Sequence, residues 1–157
     1  MITIEREDFD SPDATTLHVE HKQALDELYG YDAEPGKKPT AAEVPVFLVM
    51  RVDGELAGCG GLRPIEPGLV EIKRMYVRPT YRRRGLGKLI LDALEAEALQ
   101  LGAERVVLET GVEQFEAVGL YEGAGYRAIP CFGAYAASPI SHCYERFLPR
   151  PSPSGGP

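Results

Sequence analysis

Hydrophobic residues along the chain change period several times, and each change marks an element boundary. Ile2 to Arg6 alternates weakly and predicts a first strand. Leu17 to Tyr29 sets Leu17, Ala24, Leu25 and Leu28 on one side of a helix. Tyr31 to Pro39 breaks that pattern with Pro35, Gly36 and Pro39, so a flexible loop is expected, followed by a short helix started by Thr40. Val46 to Val52 and Leu56 to Leu62 are apolar runs joined by Asp53-Gly54, a pair that tolerates positive φ and suits a tight hairpin turn. A second antiparallel step across Pro64 to Gly68 leads into Leu69 to Val77. Gly85 to Leu101 carries Leu86, Leu89, Ile90, Ala93, Leu94, Ala98 and Leu101 at helical spacing and stops at Gly102. Arg105 to Glu109 reads as a buried strand, Gln114 to Gly123 as a short helix, and Tyr126 to Ile129 and Ser141 to Leu148 as the last two strands.

That order describes an α/β fold, one mixed and mostly antiparallel sheet flanked by helices, in a single domain over residues 1–148. A length of 157 residues suits one sizeable core. The tail Pro149 to Pro157 is Pro, Ser and Gly with one Arg, and is expected to be disordered. No apolar stretch approaches the roughly 18 residues of a membrane span, and Met1 to Asp10 lacks the form of a secretory leader. A cytoplasmic protein with no membrane partner is the expectation. Cys59, Cys131 and Cys143 are odd in number and lack CxxC spacing, which predicts buried thiols and neither a disulfide framework nor a zinc site. His18 and His21 are expected on a solvated helix face, not on a metal.

Charge sharpens this picture. The net charge is −7, yet Lys73, Arg74, Arg78, Arg82, Arg83, Arg84 and Lys88 crowd the stretch from Ile72 to Lys88, which holds no acid. The other ten basic residues therefore face all 24 acids, a balance of −14. A local cationic patch on an acidic chain suits a small polyanion better than a long nucleic acid. Within it, Arg82-Arg83-Arg84-Gly85-Leu86-Gly87-Lys88 opens the long helix, where free N–H groups and the helix dipole favour phosphate and glycines admit close approach. It is neither a Walker A loop nor a GxGxxG fingerprint.

These residues resemble the acetyl-CoA motif of the GNAT family, the GCN5-related N-acetyltransferases, [Q/R]-x-x-G-x-[G/A], with Arg82, Gly85 and Gly87 in place. Met75-Tyr76-Val77-Arg78-Pro79 is similar to the family's preceding strand and turn. Leu120-Tyr121-Glu122-Gly123-Ala124-Gly125-Tyr126 is similar to its downstream LYE-x-x-G-[F/Y] element. The resemblance covers roughly residues 2 to 148 and implies a splayed central strand pair. It also implies acetyl-CoA as cosubstrate without a metal. Met75, Tyr76 and Val77 would pair with the pantetheine arm through their backbone. Arg82, Arg83, Arg84, Gly85, Leu86, Gly87 and Lys88 would hold the phosphates, and Gln114, where the family often has Asn, would reach the cofactor arm.

Acetylating an alkyl amine of pKa about 10.4 requires a proton acceptor, and the departing thiolate, of pKa about 8.5, takes a proton from an acid. The resemblance gives Tyr121 the acid's role. Counting back from Val77, it gives Glu71 the place of the catalytic glutamate of the histone-acetylating branch, with Glu109 or a water chain as alternatives. Strict alternation would set Glu71, Lys73, Met75 and Val77 on one face of their strand. The acceptor groove falls to Leu17–Pro39 and Pro130–His142, with Phe132, Tyr135, Tyr29 and Tyr31 as candidate walls. The excess acid favours a cationic amine, polyamine or lysine peptide. The implied activity is direct N-acetyl transfer to a small-molecule or peptide amine. The rival is a non-catalytic acyl-CoA-binding module acting through a protein partner; a ping-pong route on Cys131 or Cys143 is disfavoured by the absence of a nearby histidine motif. Family members often dimerise, and the last strands offer edges for a homodimer.

Overall fold

The computed structural model describes residues 1–32 and 38–149. Pro35 and Gly36 of the expected loop and residues 150–157 of the expected tail lie outside the described residues. The elements run β1 (Ile2–Arg6), α1 (Pro12–Tyr29), β2 (Val46–Val52), β3 (Glu55–Glu66), β4 (Leu69–Val77), α2 (Leu86–Gln100), β5 (Arg105–Gly111), α3 (Phe115–Gly123), β6 (Arg127–Ile129) and β7 (Ser141–Phe147). Single 3₁₀ turns at Ala41–Glu43, Pro79–Tyr81 and Gly133–Tyr135 join them. The seven strands form one sheet in the order β1-β2-β3-β4-β5-β7-β6, antiparallel throughout except for β4 beside β5. No helix among the described residues is long and apolar enough to cross a membrane.

Both faces of the sheet are covered, which explains why β2 reads as a continuous apolar run. Val46, Leu48 and Met50 join the core beneath α2 and α3, while Phe47 and Val49 join the core beneath α1. Asp53 and Gly54 turn the β2–β3 hairpin with φ of 50° and 83°, as their sequence suggests. Gly58 of β3 is required by closeness: a Cβ there would lie 2.6 Å from the Tyr76 carbonyl oxygen of β4.

Helix α1 begins one and a half turns earlier than its apolar pattern implies. Ser11 caps it by accepting from the Ala14 N–H at 3.1 Å, and Pro12 fills its first position. Its buried stripe also differs from expectation, because Ala14 and Leu17 are fully buried while Leu28 is half exposed. The stripe continues through His18 and His21, which are packed and not solvated. The His18 ring lies 4.3 Å from Phe9 and 5.0 Å from Phe47, and its Nε2 hydrogen bonds the Phe9 carbonyl at 2.8 Å. His21 stacks on Tyr76 with ring centroids 4.9 Å apart.

A bulge in β4 overturns the expected alternation. Cys59 and Gly61 of β3 pair with Tyr76 and Lys73, so β4 spends one extra residue, and Arg74 takes φ of 58°. Val70 and Ile72 face α2, and beyond the bulge Met75 and Val77 again face α2 while Tyr76 enters the α1 core. Glu71 and Lys73 therefore lie on the face opposite Met75 and Val77. Just before the bulge, pairing of β4 with β5 stops at Ile72–Leu108, although β4 continues along β3 to Val77 and β5 along β7 to Gly111. This divergence is the splayed strand pair.

The cysteine expectation needs correction at one pair. Cys131 and Cys143 form a disulfide, with Cα atoms 5.0 Å apart, because β6 ends beside β7 with Ile129 opposite Cys143. Disulfides persist in oxidising surroundings, so the bond does not follow from a cytoplasmic expectation. Cys59 remains a buried free thiol, and burial pushes its pKa up to about 12. Replacing both Cys131 and Cys143 by Ser should preserve acetyl transfer and cost about 3 kcal/mol, or about 10 °C in Tm, by freeing the unfolded chain. Calorimetry and turnover check this; a folded double variant with no transfer would restore the covalent cysteine route.

Candidate functional site

The amino end of α2 opens beside the splay. Gly85, at φ of 74°, is its N-cap, and among the described residues no side chain caps its first N–H groups. Arg82 anchors this loop to the end of β4: its Nε donates to the Val77 carbonyl at 2.9 Å, and its guanidinium lies 5.9 Å from the Tyr76 ring centroid. Arg83 takes φ of 64° and lies 3.6 Å from Glu116. Arg84 sits over the Tyr81 ring, and Lys88 pairs with Asp92, one turn along α2. All four basic side chains are exposed. A Cβ at Gly87 would meet Leu120 at 3.2 Å, so glycine lets this first turn approach α3. Tyr76 turns its ring toward α1, so it meets the splay through its backbone alone.

Tyr121 lies across the gap from β4. It is 5% exposed, and its hydroxyl donates to Met75 Sδ at 3.4 Å. Burial, and secondarily the charge of Glu109, raise the phenol above its ordinary pKa, so it holds its proton through the neutral range. Its neighbour Tyr126 is tied down by donating to Glu95 Oε2 at 2.8 Å, with Arg146 Nη1 on the other oxygen at 2.7 Å.

On the α1 side of the splay, a cavity of about 90 Å³ is lined by Tyr29, Lys73, Arg74, Glu109, Gln114 and Tyr135, among others. The two segments assigned to the acceptor groove thus meet here, Tyr29 from α1 and Tyr135 from the β6–β7 connection. Tyr29 accepts from the Glu113 N–H at 3.1 Å and occupies the space above Gly111, where a Cβ would lie 1.8 Å from its hydroxyl. Ser141 Oγ donates to Glu109 Oε2 at 2.6 Å and orients that carboxylate. Gln114 Oε1 accepts from the Gly111 N–H at 2.7 Å, which leaves its Nε2 as the atom for a ligand. Among the described residues, the charged members of this lining are Lys73, Arg74 and Glu109.

Glu71 sits behind this wall. It is 2% exposed; its Oε1 lies 3.7 Å from Arg63 Nη1, and its Oε2 lies 3.6 Å from Lys73 Nζ and accepts from the Tyr135 hydroxyl at 3.0 Å. Lys73 in turn donates to Tyr135, closing the cluster. Lys73, Arg74 and Ser141 escape sequence reasoning as site residues: the first two border this cavity where β4 parts from β5, and Ser141 gains its meaning from pairing across β5 and β7. Among the described residues no group of three His, Cys, Asp or Glu is placed to hold a metal.

Comparison with known proteins gives a consistent answer. The family model described as the acetyltransferase (GNAT) family matches residues 5–126. An IAA acetyltransferase of Azospirillum brasilense is 39% identical over 103 residues, 65% of this chain and 67% of that protein. The N-acetyltransferase YjgM of Escherichia coli K12, itself uncharacterised, is 37% identical over 130 residues, 79% of this chain and 70% of that protein. A crystal structure from Klebsiella pneumoniae described as an acyl-CoA N-acyltransferase superposes with a TM-score of 0.79 at 32% identity, covering 94% of this chain and 98% of that one. More distant structures of the same fold were solved with acetyl-CoA bound. With its motif loop, its splayed β4 and β5 and these relatives in agreement, the chain belongs to the GNAT family of acetyltransferases.

Proposed function

We propose that the protein transfers the acetyl group of acetyl-CoA directly to the primary amine of a small molecule held in the cavity beside Tyr29 and Tyr135. One observation carries this reading: the splay lies between the uncapped amino end of α2 and that cavity, with the Tyr121 phenol at the junction. The fit to acetyl-CoA rests on two features of this chain. The edge of β4 from Lys73 to Val77 is released from β5 and suits a strand-like pantetheine arm taken up through the backbone of Met75, Tyr76 and Val77. The N–H groups of Leu86, Gly87 and Lys88, with exposed Arg82, Arg83, Arg84 and Lys88 around Gly85, suit a pyrophosphate. Gln114 Nε2 adds a donor at the arm's inner end. When bound, acetyl-CoA supplies an acyl group activated as a thioester.

The chain's own groups then manage protons. Glu109, in the cavity wall and steadied by Ser141, receives a proton from the acceptor's ammonium. Tyr121 gives its proton to the departing sulfur; the burial that raises the phenol also raises a thiolate beside it, keeping the two matched. Glu71, enclosed by Arg63, Lys73 and Tyr135, acts on the wall and not on the amine.

These roles separate experimentally. Glu109→Gln should lower kcat about 100-fold or more at neutral pH. Glu71→Gln should leave kcat within about three-fold and raise the acceptor KM about ten-fold, since it loosens Lys73 and Tyr135. Steady-state kinetics decide between them, and a collapse of kcat in Glu71→Gln at unchanged KM would make Glu71 the base. The overall reading is tested by acetyl-CoA-dependent thiol release across amines, amino acids, polyamines and lysine peptides. Tight binding of acetyl-CoA with no release on any acceptor would favour a non-catalytic acyl-CoA-binding module.

A further inference from the structure

We propose that the Cys131–Cys143 disulfide is a thiol-exchange site that controls acceptor binding: a dithiol reductant opens it, frees the β6–β7 connection and loosens the cavity wall, while the acetyl-CoA side of the splay is left as it was. The control of acceptor binding rests on the acetyl-transfer reading above. The geometry begins with β7. Alternate residues of a strand share a face, and Tyr144 packs into the core beneath α2 and α3, so Ser141 and Cys143 take the opposite face. Register sets Cys143 directly across from Glu109 of β5 and from Ile129 of β6, and Ser141 across from Gly111. The disulfide therefore stands on the cavity's side of the sheet, one strand away from the carboxylate that Ser141 orients. Cys131 Sγ lies 3.6 Å from the Ser141 carbonyl oxygen.

What the bond holds is the connection between the last two strands. β6 has three residues, ends the sheet and pairs with β7 alone, which makes it a weak anchor by itself. Between Ile129 and Ser141 the chain forms a single 3₁₀ turn, Gly133–Tyr135, and Tyr135 and Ile140 from this stretch line the cavity. The Tyr135 hydroxyl reaches Glu71 and Lys73 on β4, and the Phe132 ring stands edge-on to Tyr135 with centroids 5.5 Å apart. The disulfide closes this stretch at its base, across a sequence separation of 12. With the bond closed, Tyr135 is held from β4 and from the base of its own loop. With it open, the loop regains conformational freedom and the wall rests on the tyrosine's own contacts. The phosphate-binding loop joins β4 to α2 and carries neither cysteine.

The exchange has a defined direction. Cys131 is half-buried and Cys143 is 2% exposed, so an incoming thiolate meets Cys131 first. It forms a mixed disulfide with Cys131 and expels Cys143 as a thiolate, which takes up a proton. The second thiolate of the reductant then closes on the first sulfur and expels Cys131, which is protonated in turn. Two electrons pass from the dithiol to the protein: the cystine becomes two thiols and the dithiol becomes a disulfide. Cys59 takes no part, since it is a free thiol buried in the core beneath α1.

The full chain is compared in its oxidised form and after reduction by dithiothreitol that is then removed without air. Thiol counts on the denatured protein, one against three, identify the two forms. Product is followed by mass spectrometry, because a thiol dye would also read the cysteines. Reduction should raise the acceptor KM about ten-fold while kcat and the KM for acetyl-CoA stay within about two-fold, a split that general loosening of the fold would not produce. Hydrogen exchange should quicken across residues 132–140 and stay unchanged in α2. A variant with Cys131→Ser and Cys143→Ser together should match the reduced form and ignore dithiothreitol; should it fail to fold, the two forms of the unaltered chain decide alone. Equal acceptor KM in the two forms, or three free thiols in the air-equilibrated protein, would overturn the proposal and leave the transferase standing. Absence of transfer to any acceptor in either form would overturn the acetyl-transfer reading; hydrogen exchange then judges the disulfide, and an unchanged rate across residues 132–140 would overturn its hold on the wall as well.

Discussion

Tyr121→Phe is expected to lower kcat about 100-fold or more while acetyl-CoA affinity changes by less than about three-fold. The variant removes one oxygen and little else. The ring stays packed against Tyr126, with centroids 5.8 Å apart, and Tyr144 at 6.5 Å, and the lost bond to Met75 Sδ is a weak one. Melting temperature should accordingly move by only a degree or two, so a kinetic loss cannot be ascribed to unfolding. Because burial raises the Tyr121 phenol, its ionisation does not limit the unaltered enzyme below about pH 10. Pre-steady-state thiol release and equilibrium binding of acetyl-CoA measure the two quantities separately. An undiminished kcat would reduce Tyr121 to a packing role and move the proton donor to solvent.

His21 should make the protein's stability strongly acid-sensitive. Burial first, then the positive charges of Arg74, His18 and Arg82, lower its pKa from 6.5 to about 3. Its other near neighbour, the Tyr76 ring, offers it no anion, and its buried Nδ1 has no hydrogen-bond partner among the described residues. Between about pH 6.5 and pH 3 the unfolded chain binds a proton at this site that the folded chain does not. Stability therefore rises with pH across that window, by about 1.4 kcal/mol per unit, and is lost as pH falls. His21→Leu should remove this slope. Urea unfolding at pH 7.5 and pH 5 should show the variant gaining about 2 kcal/mol relative to the unaltered protein between the two conditions, since acid effects on other groups cancel in the difference. An equal loss in both proteins would mean that His21 is protonated in the fold.

These two residues also show where sequence reading succeeds and where it stops. Tyr121 stands out because it belongs to a local string, LYEGAGY, that closes α3 and leads into β6. His21 does not, because its apolar surroundings come from Tyr76 across the α1–sheet contact, and its own helix pattern shows only a polar residue between leucines. The same division runs through the site. Glu71 occupies the position that the resemblance implies for a base, and its enclosure by Arg63, Lys73 and Tyr135 comes from three separate elements.

The amino-acid sequence by itself determines the element order, the hairpin at Asp53-Gly54, the glycine-containing basic opening of α2 at Gly85 to Lys88 and the family. Hydrophobic period, turn chemistry and helix ends are local properties, expressed by residues a few positions apart. Tertiary structure alone decides the bulge at Arg74, the joining of Cys131 to Cys143, the burial of His18 and His21, and the lining of the cavity beside Tyr29 and Tyr135. Each of these depends on which strands pair and in what register. One extra residue in β4 exchanges the faces of everything beyond it, and no local pattern records where that residue will be placed.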